Sequence, residues 1–563
     1  MRSATVLLTL LAFAAPLASG QEPPATLTDR VDALFAEWDD PGSPGCALGV
    51  INDGEFLYRR GYGMASLELD VPISSSSVFY IGSTSKQFVA ASIFLAEERG
   101  FLSVDDDIRE YVPEIPDYGT TITIRHLLHH TSGLRDYLTL WSLAGEEIED
   151  IHSADEALEM IARQKALNFE PGAEYLYSNS GYFVLSVILE RATGKSLKEF
   201  ARDYIFQPLE MLNTHFHDDY THIIKGRAMG HLRRNDGSIA LNMSNFAQVG
   251  SGGLYTSVDD LLQWDRNFYD NTLGDGGLID RMLIRGVLNS GDTLSYAAAL
   301  MIGEYKGLKT VAHGGALGGY RAEFLRFPDQ RFSVICLCNL APMNPSGLAR
   351  QVADIYLADE FEAEPEAPAA EEAAEPGAEV ESVTLGEHQL QALSGAYRDR
   401  SDHAIVEVSV EEGRLKLQGP GAAFHMSPLS DSRFLATDAP LRIEARFERH
   451  DPGRPTLLHL DVAGQAARIL EPVELFRPSA SQLAEYAGEY YSDELDADWE
   501  LMVKNGALYL SIEPQHPLVS TIKDEFSLSS VSVSFVRDGR GRVDGLTVDA
   551  GRVRGIEFRR TDK

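Results

Sequence analysis

The chain has 563 residues, 44% of them hydrophobic, with 85 acidic residues against 49 basic ones and a formal net charge of −36. That length points to about two to four domains with real cores. The acidic balance excludes a nucleic-acid-binding role, which needs a basic surface, and reads as a well-solvated exterior.

In chain order, Met1-Arg2 followed by the apolar run Val6–Ala14 and small residues at Ala18-Ser19-Gly20 reads as a secretory signal over residues 1–20. The apolar run is too short to span a bilayer, and no later segment resembles a membrane helix, so no membrane insertion is expected. The location implied is periplasmic or secreted. Leu27–Trp38 has the pattern of an amphipathic helix. Cys46–Ile51 and Glu55–Arg60 flank Asn52-Asp53-Gly54, a hairpin signal. Val78–Ile81 leads through Gly82 into a helical pattern that Gly100 closes. Ile124–Leu128, Ala154–Gln164 (with Ser153 and Glu156 at capping-box spacing), Tyr182–Ala192, Ser196–Leu209, Val258–Phe268 and Leu348–Leu357 read as helices. Thr310–Ala312, Tyr320–Phe327 and Phe332–Asn339 read as strands. Strands at both ends of residues 25–360 with helices between them predict an α+β catalytic domain.

Residues 361–384 are rich in Glu, Ala and Pro and read as a linker. Beyond them the pattern alternates with a period of two, and it repeats. Leu390-x-x-Leu393-Ser394-Gly395-Ala396-Tyr397 matches Leu483-x-x-Tyr486-Ala487-Gly488-Glu489-Tyr490. Gly413 and Gly506 recur at the same spacing as Gly395 and Gly488. Two related all-β modules, 385–478 and 479–563, are each long enough for a small closed antiparallel barrel of lipocalin-like type.

The chemistry concentrates in three places. Ser83 opens the helix after Gly82, with Lys86 one turn on and on the same face. A nucleophilic hydroxyl there gains an adjacent amine and the positive end of a helix. Tyr177 and Asn179 lie on a loop just before a buried helix. A tyrosine near a lysine is expected to have a lowered pKa and to shuttle the serine proton, and Asn179 can bond a substrate amide. His313-Gly314-Gly315-Ala316 lies on a strand. Gly315 permits close approach of substrate backbone, the Ala316 and Ser83 N–H groups suit an oxyanion hole, and His313 supplies a proton donor or positive charge. Copies of the first two spacings at Ser520/Lys523 and Tyr269/Asn271 lack this context. His126, His129 and His130, and the stretch His215–Asp218, lack a Glu-flanked zinc pattern, so neither metal nor cofactor is expected. Cys46, Cys336 and Cys338 leave at least one thiol unpaired. They read either as buried inert thiols or with Cys46 bridged to one of the others.

The order Ser83-x-x-Lys86, Tyr177-x-Asn179, His313-x-Gly315 resembles the serine beta-lactamase and penicillin-binding-protein superfamily in its class C-like branch. His130–Leu134, Phe169–Gly172 and Gly252-Gly253-Leu254 agree with it. The resemblance implies a five-stranded antiparallel sheet flanked by helices plus a helical subdomain. It also implies acylation of Ser83 with Lys86 and Tyr177 as proton-relay pair. His-Gly-Gly stands where beta-lactamases carry Lys-Thr-Gly, which weakens recognition of a substrate carboxylate and suits an aminopeptidase, amidase or esterase. The two β modules, Ser132–Tyr137, Ser492–Asp498 and Arg554–Arg560 look like the D-aminopeptidase group. In that group the last barrel reaches the cleft, although Phe526–Phe535 is short for a long inserted loop here. Ser492–Asp498 reads either as a cleft contact or as a solvated turn. The expected partner is a small peptide, amide or ester, with a homodimer allowed. The alternatives are a beta-lactamase or D,D-carboxypeptidase of the same superfamily, and a non-catalytic envelope-binding protein.

Overall fold

The computed structural model describes residues 26–561, apart from 148–149, 362–382, 401–402, 420–421, 440–441, 450–455 and 463–466. The signal segment and most of the linker expected from sequence lie outside the described residues.

The hairpin Cys46–Asn52/Glu55–Tyr62 turns through Asp53 and Gly54, both with positive φ, as the Asn-Asp-Gly signal requires. Its first strand pairs on its other side with Phe332–Cys338, so the start and end of the region are neighbours in one sheet. The antiparallel sheet continues through Tyr320–Phe327, Leu308–Leu317 and Met301–Tyr305. It has six strands rather than five. The extra edge strand, Met301–Tyr305, is half-exposed and lacks a strong apolar alternation, so its sequence carries little strand signal. Helices Leu27–Phe35 and Pro345–Tyr356 cover one face of the sheet in a core that includes Val50, Val334 and Val352. Val258–Asp270 packs on the other face. Facing Cys336 and Cys338 on one strand leaves a choice of partner for Cys46. The register sets Cys46 opposite Cys338, and those two form the disulfide, while Cys336 stays a buried free thiol whose pKa burial pushes up.

Behind the sheet lies the helical region. The helix Lys86–Glu98 is buried on nearly all sides, as a helix that is apolar all round must be. It packs against Asn179–Thr193, which starts three residues earlier than its apolar pattern and ends at a left-handed Gly194.

Residues 395–473 and 488–560 form two closed eight-stranded antiparallel barrels with neighbouring strands in chain order. The sequence repeat is structural in detail. A short helix leads into each barrel, Gly413 and Gly506 both have φ of 77°, and Tyr397 and Tyr490 each donate to the carbonyl four residues back. The first barrel has its own core. The core of the second is continuous with that of the helical region. Among the described residues no helix is long and apolar enough to cross a membrane.

Candidate active site

Ser83 lies in a turn of 3₁₀ helix, Gly82–Ser85, that feeds directly into Lys86–Glu98. The turn meets the strand Leu308–Leu317 at the closest backbone approach in the cleft. A Cβ added at Gly315 would come within 1.9 Å of the Ile81 carbonyl and 2.9 Å of the Ser83 nitrogen; one at Gly82 would come within 2.5 Å of the Ala316 nitrogen. Gly82 also has φ of 53°. The two glycines therefore bring the Ser83 and Ala316 main-chain nitrogens to one spot.

Lys86 is wholly buried. Its Nζ lies 3.1 Å from Ser83 Oγ, 3.0 Å from Asn179 Oδ1 and 2.5 Å from the Ser251 carbonyl. Burial drives its pKa well below the usual lysine value; Asp136 opposes this and Arg552 adds to it. A neutral amine has two N–H groups, and here two carbonyl-type oxygens take them, so its lone pair faces Ser83 Oγ. Asn179 is fixed in turn, because its own N–H donates to Asp136 Oδ2 at 2.6 Å.

Tyr177 departs from expectation. Its ring lies under Lys86 Nζ, 4.9 Å from the ring centre, but burial outweighs every neighbouring charge and raises the phenol pKa. The phenol is protonated, and it makes no close hydrogen bond to a protein group. Its buried oxygen stands with Ser83 as a neighbour and a free proton to give.

His313 also differs from the proton donor or positive charge expected. Its Nδ1 donates to the Gly314 carbonyl at 2.7 Å, which leaves Nε2 as an acceptor for the Tyr296 hydroxyl at 3.1 Å. Tyr296 accepts from His130 Nε2 at 3.1 Å, and His130 Nδ1 accepts from the Ser178 N–H. One chain of hydrogen bonds thus fixes both imidazoles as neutral tautomers. Burial, the largest cause, brings His313 down to about 4 and His130 well below its usual value. Three more ring nitrogens of the histidine run are occupied too. His126 Nδ1 accepts from the Thr123 N–H, and His129 bonds the Arg125 and Ile284 carbonyls.

Six of the seven residues singled out in the sequence, Ser83, Tyr177, Asn179, His313, Gly315 and Ala316, line one cavity of about 650 Å³, and the seventh, Lys86, is buried with its Nζ 3.1 Å from Ser83 Oγ. Two features escaped the sequence. Tyr296 sits in an irregular segment with no motif around it. Arg552 comes from the second barrel, on the hairpin between its last two strands, and its guanidinium lies 4.7 Å from the Tyr177 ring centre. The barrel does reach the cleft, through this short hairpin rather than through Phe526–Phe535. Glu494 of the Ser492–Asp498 segment is neither in the cleft nor solvated. It is buried in an ion pair with Arg135 at 2.6 Å.

A family model described as Beta-lactamase matches residues 31–358. A D-aminopeptidase of Brucella anthropi is 27% identical over 543 residues, covering 92% of this chain and 95% of the relative. A D-aminopeptidase of Gluconobacter oxydans is 28% identical over 495 residues, 86% of each chain. Among solved structures, the octameric penicillin-binding protein homologue from Pyrococcus abyssi shares the fold with a TM-score of 0.55 at 23% identity. That match covers 79% of this chain and 99% of the other.

Proposed function

The chain belongs to the beta-lactamase family, and on that premise we propose that this serine hydrolase cleaves amide bonds through an acyl-enzyme on Ser83, as a D-stereospecific aminopeptidase or amidase. The observation that carries the reading is the buried Lys86 amine, held by two carbonyl oxygens with Ser83 Oγ 3.1 Å away.

In this reading neutral Lys86 takes the Ser83 proton as Oγ attacks the substrate carbonyl carbon. The Ser83 and Ala316 N–H groups hold the oxyanion. When the C–N bond breaks, the Tyr177 phenol protonates the leaving amine, and the Lys86 ammonium restores the phenol. Water then releases the acyl group by the reverse proton path. The Asn179 NH₂ is placed to hold a substrate carbonyl, since its Oδ1 is engaged by Lys86. The leader-like start of the chain supports an exported enzyme. The strand count and chain-order neighbours of both C-terminal barrels support reading them as lipocalin-like modules.

The test is a substrate panel of D-Ala-p-nitroanilide, L-Ala-p-nitroanilide and nitrophenyl esters on wild type and Ser83→Ala. Wild type is expected to turn over the D-configured amide, and the variant to lose activity by about a thousandfold or more. Turnover unchanged in Ser83→Ala would overturn the proposal.

A further inference from the structure

The cavity beside Ser83 has a charge character opposite to that of the molecule around it. The chain carries a net charge of −36. Yet among the described residues that line the cavity there is no aspartate or glutamate, and there are two arginines, Arg321 and Arg552. The carboxylates nearby are committed elsewhere. Asp136 accepts from the Asn179 and Thr139 N–H groups. Glu323 accepts from the Ser346 hydroxyl, and burial raises its pKa.

The two arginines are not equivalent. Arg321 donates to the Gly318 and Tyr320 carbonyls, so its guanidinium is used by its own loop. Arg552 has its main chain clamped and its side chain free. Its carbonyl accepts from Asn168 Nδ2 at 2.9 Å and from the Asp136 N–H at 3.4 Å. Two residues on, the Arg554 N–H donates to Asn168 Oδ1 at 2.8 Å, so one asparagine grips both sides of the hairpin tip. The guanidinium itself has no ion pair or hydrogen bond among the described residues; it rests on the face of Tyr177. An arginine fixed at its root, stacked on the residue that serves the leaving group and left without a counter-charge is prepared to receive one.

We propose that Arg552 is a specificity-determining residue, which makes the cleft select substrates bearing a carboxylate on the leaving-group side of the scissile bond over neutral or cationic ones. This rests on the acyl-enzyme reading above and narrows its substrate class. Arg552 lies on Tyr177, the group that serves the leaving amine, so the carboxylate is that of the leaving group: the free C-terminus of a dipeptide, one residue beyond the bond cleaved. There a planar carboxylate can take two parallel N–H bonds from the guanidinium, while the acyl side keeps the free amine of an aminopeptidase substrate. The selection replaces the Lys-Thr-Gly lysine that this chain lacks at His313 with a cation delivered from another part of the fold.

The experiment compares kcat/KM for matched substrates that differ in one charge. They are D-Ala anilides with a free α-amine that carry a carboxylate, a carboxamide or an aminomethyl group at the para position of the leaving aniline. Wild type is expected to favour the carboxylate over the carboxamide by about tenfold or more. In Arg552→Ala that anionic-to-neutral ratio is expected to fall toward one, chiefly through KM. Arg552→Lys should keep most of it, and Arg552→Glu should turn it toward the cationic, aminomethyl substrate. A wild-type ratio near one, or a ratio that survives Arg552→Glu, would overturn the inference while leaving Ser83-dependent turnover intact. Loss of Ser83-dependent turnover on every member would overturn the acyl-enzyme reading and this inference together.

Discussion

The pKa of Lys86 is lowered by where the amine is buried rather than by any single neighbour. With Asn179 Oδ1 and the Ser251 carbonyl taking its N–H groups, a neutral amine is the form the site accommodates, and a permanently charged replacement is not. Lys86→Arg is therefore expected to lose about a hundredfold to ten-thousandfold in kcat/KM, with no recovery at high pH. In the wild type, the acid limb of the pH–rate profile should belong to Lys86. The two imidazoles act on stability instead. Burial brings His313 from its usual value to about 4, so the unfolded chain binds that proton first. The associated stability is complete above about pH 6.5 and is lost as the pH falls toward 4, up to about 3 kcal/mol, with His130 acting in the same direction. Thermal melts of wild type should show this slope, and His313→Asn should flatten it. The sequence told which residues gather here, because Ser-x-x-Lys, Tyr-x-Asn and His-x-Gly are short local spacings. Their protonation was not legible. It depends on burial and on Tyr296, both set by distant parts of the chain.

At the level of elements, the cleft is made by a strand pressed against a turn, with glycine on both sides of the contact. Gly315→Ala puts a methyl 1.9 Å from the Ile81 carbonyl. Strand and turn must separate, which is expected to cost about 1–3 kcal/mol and to pull the Ala316 and Ser83 nitrogens apart. A fall in Tm with a larger proportional fall in kcat than in KM would show both effects. Elements with a marked rhythm or a boundary residue were readable: the Asn-Asp-Gly hairpin, the Ser153 capping box and the doubled barrel pattern all have their cause within a few residues. The helix Tyr137–Ala144 was not. It is short and its mean character is apolar rather than amphipathic, so only Asp136, which caps it, marks its start. The edge strand Met301–Tyr305 was missed for the complementary reason, since it has little buried face to pattern.

Across the whole molecule, the second barrel is part of the catalytic assembly. Arg135 joins them, donating to the Arg554 and Gly555 carbonyls, Gln164 and Glu494, while Trp499 Nε1 donates to the Leu143 carbonyl. Both charges of the Arg135–Glu494 pair are almost fully buried. Arg135→Ala leaves Glu494 without its partner and is expected to destabilise the docked form by about 3–5 kcal/mol. Hydrogen exchange should then rise at the 549–555 hairpin and at residues 164–168 before it rises in the sheet. None of this docking could be read from the sequence, because it joins groups more than three hundred positions apart through short loops with no periodicity. That distance has a consequence in time. Ser83 is surrounded by early and middle parts of the chain, whereas the hairpin carrying Arg552 belongs to the last barrel. On refolding, tryptophan signals from the helical region are expected to recover first, and selectivity between charged substrates to return after a lag. For an interval the molecule would be a competent but indiscriminate catalyst, sharpened last by its most distant piece.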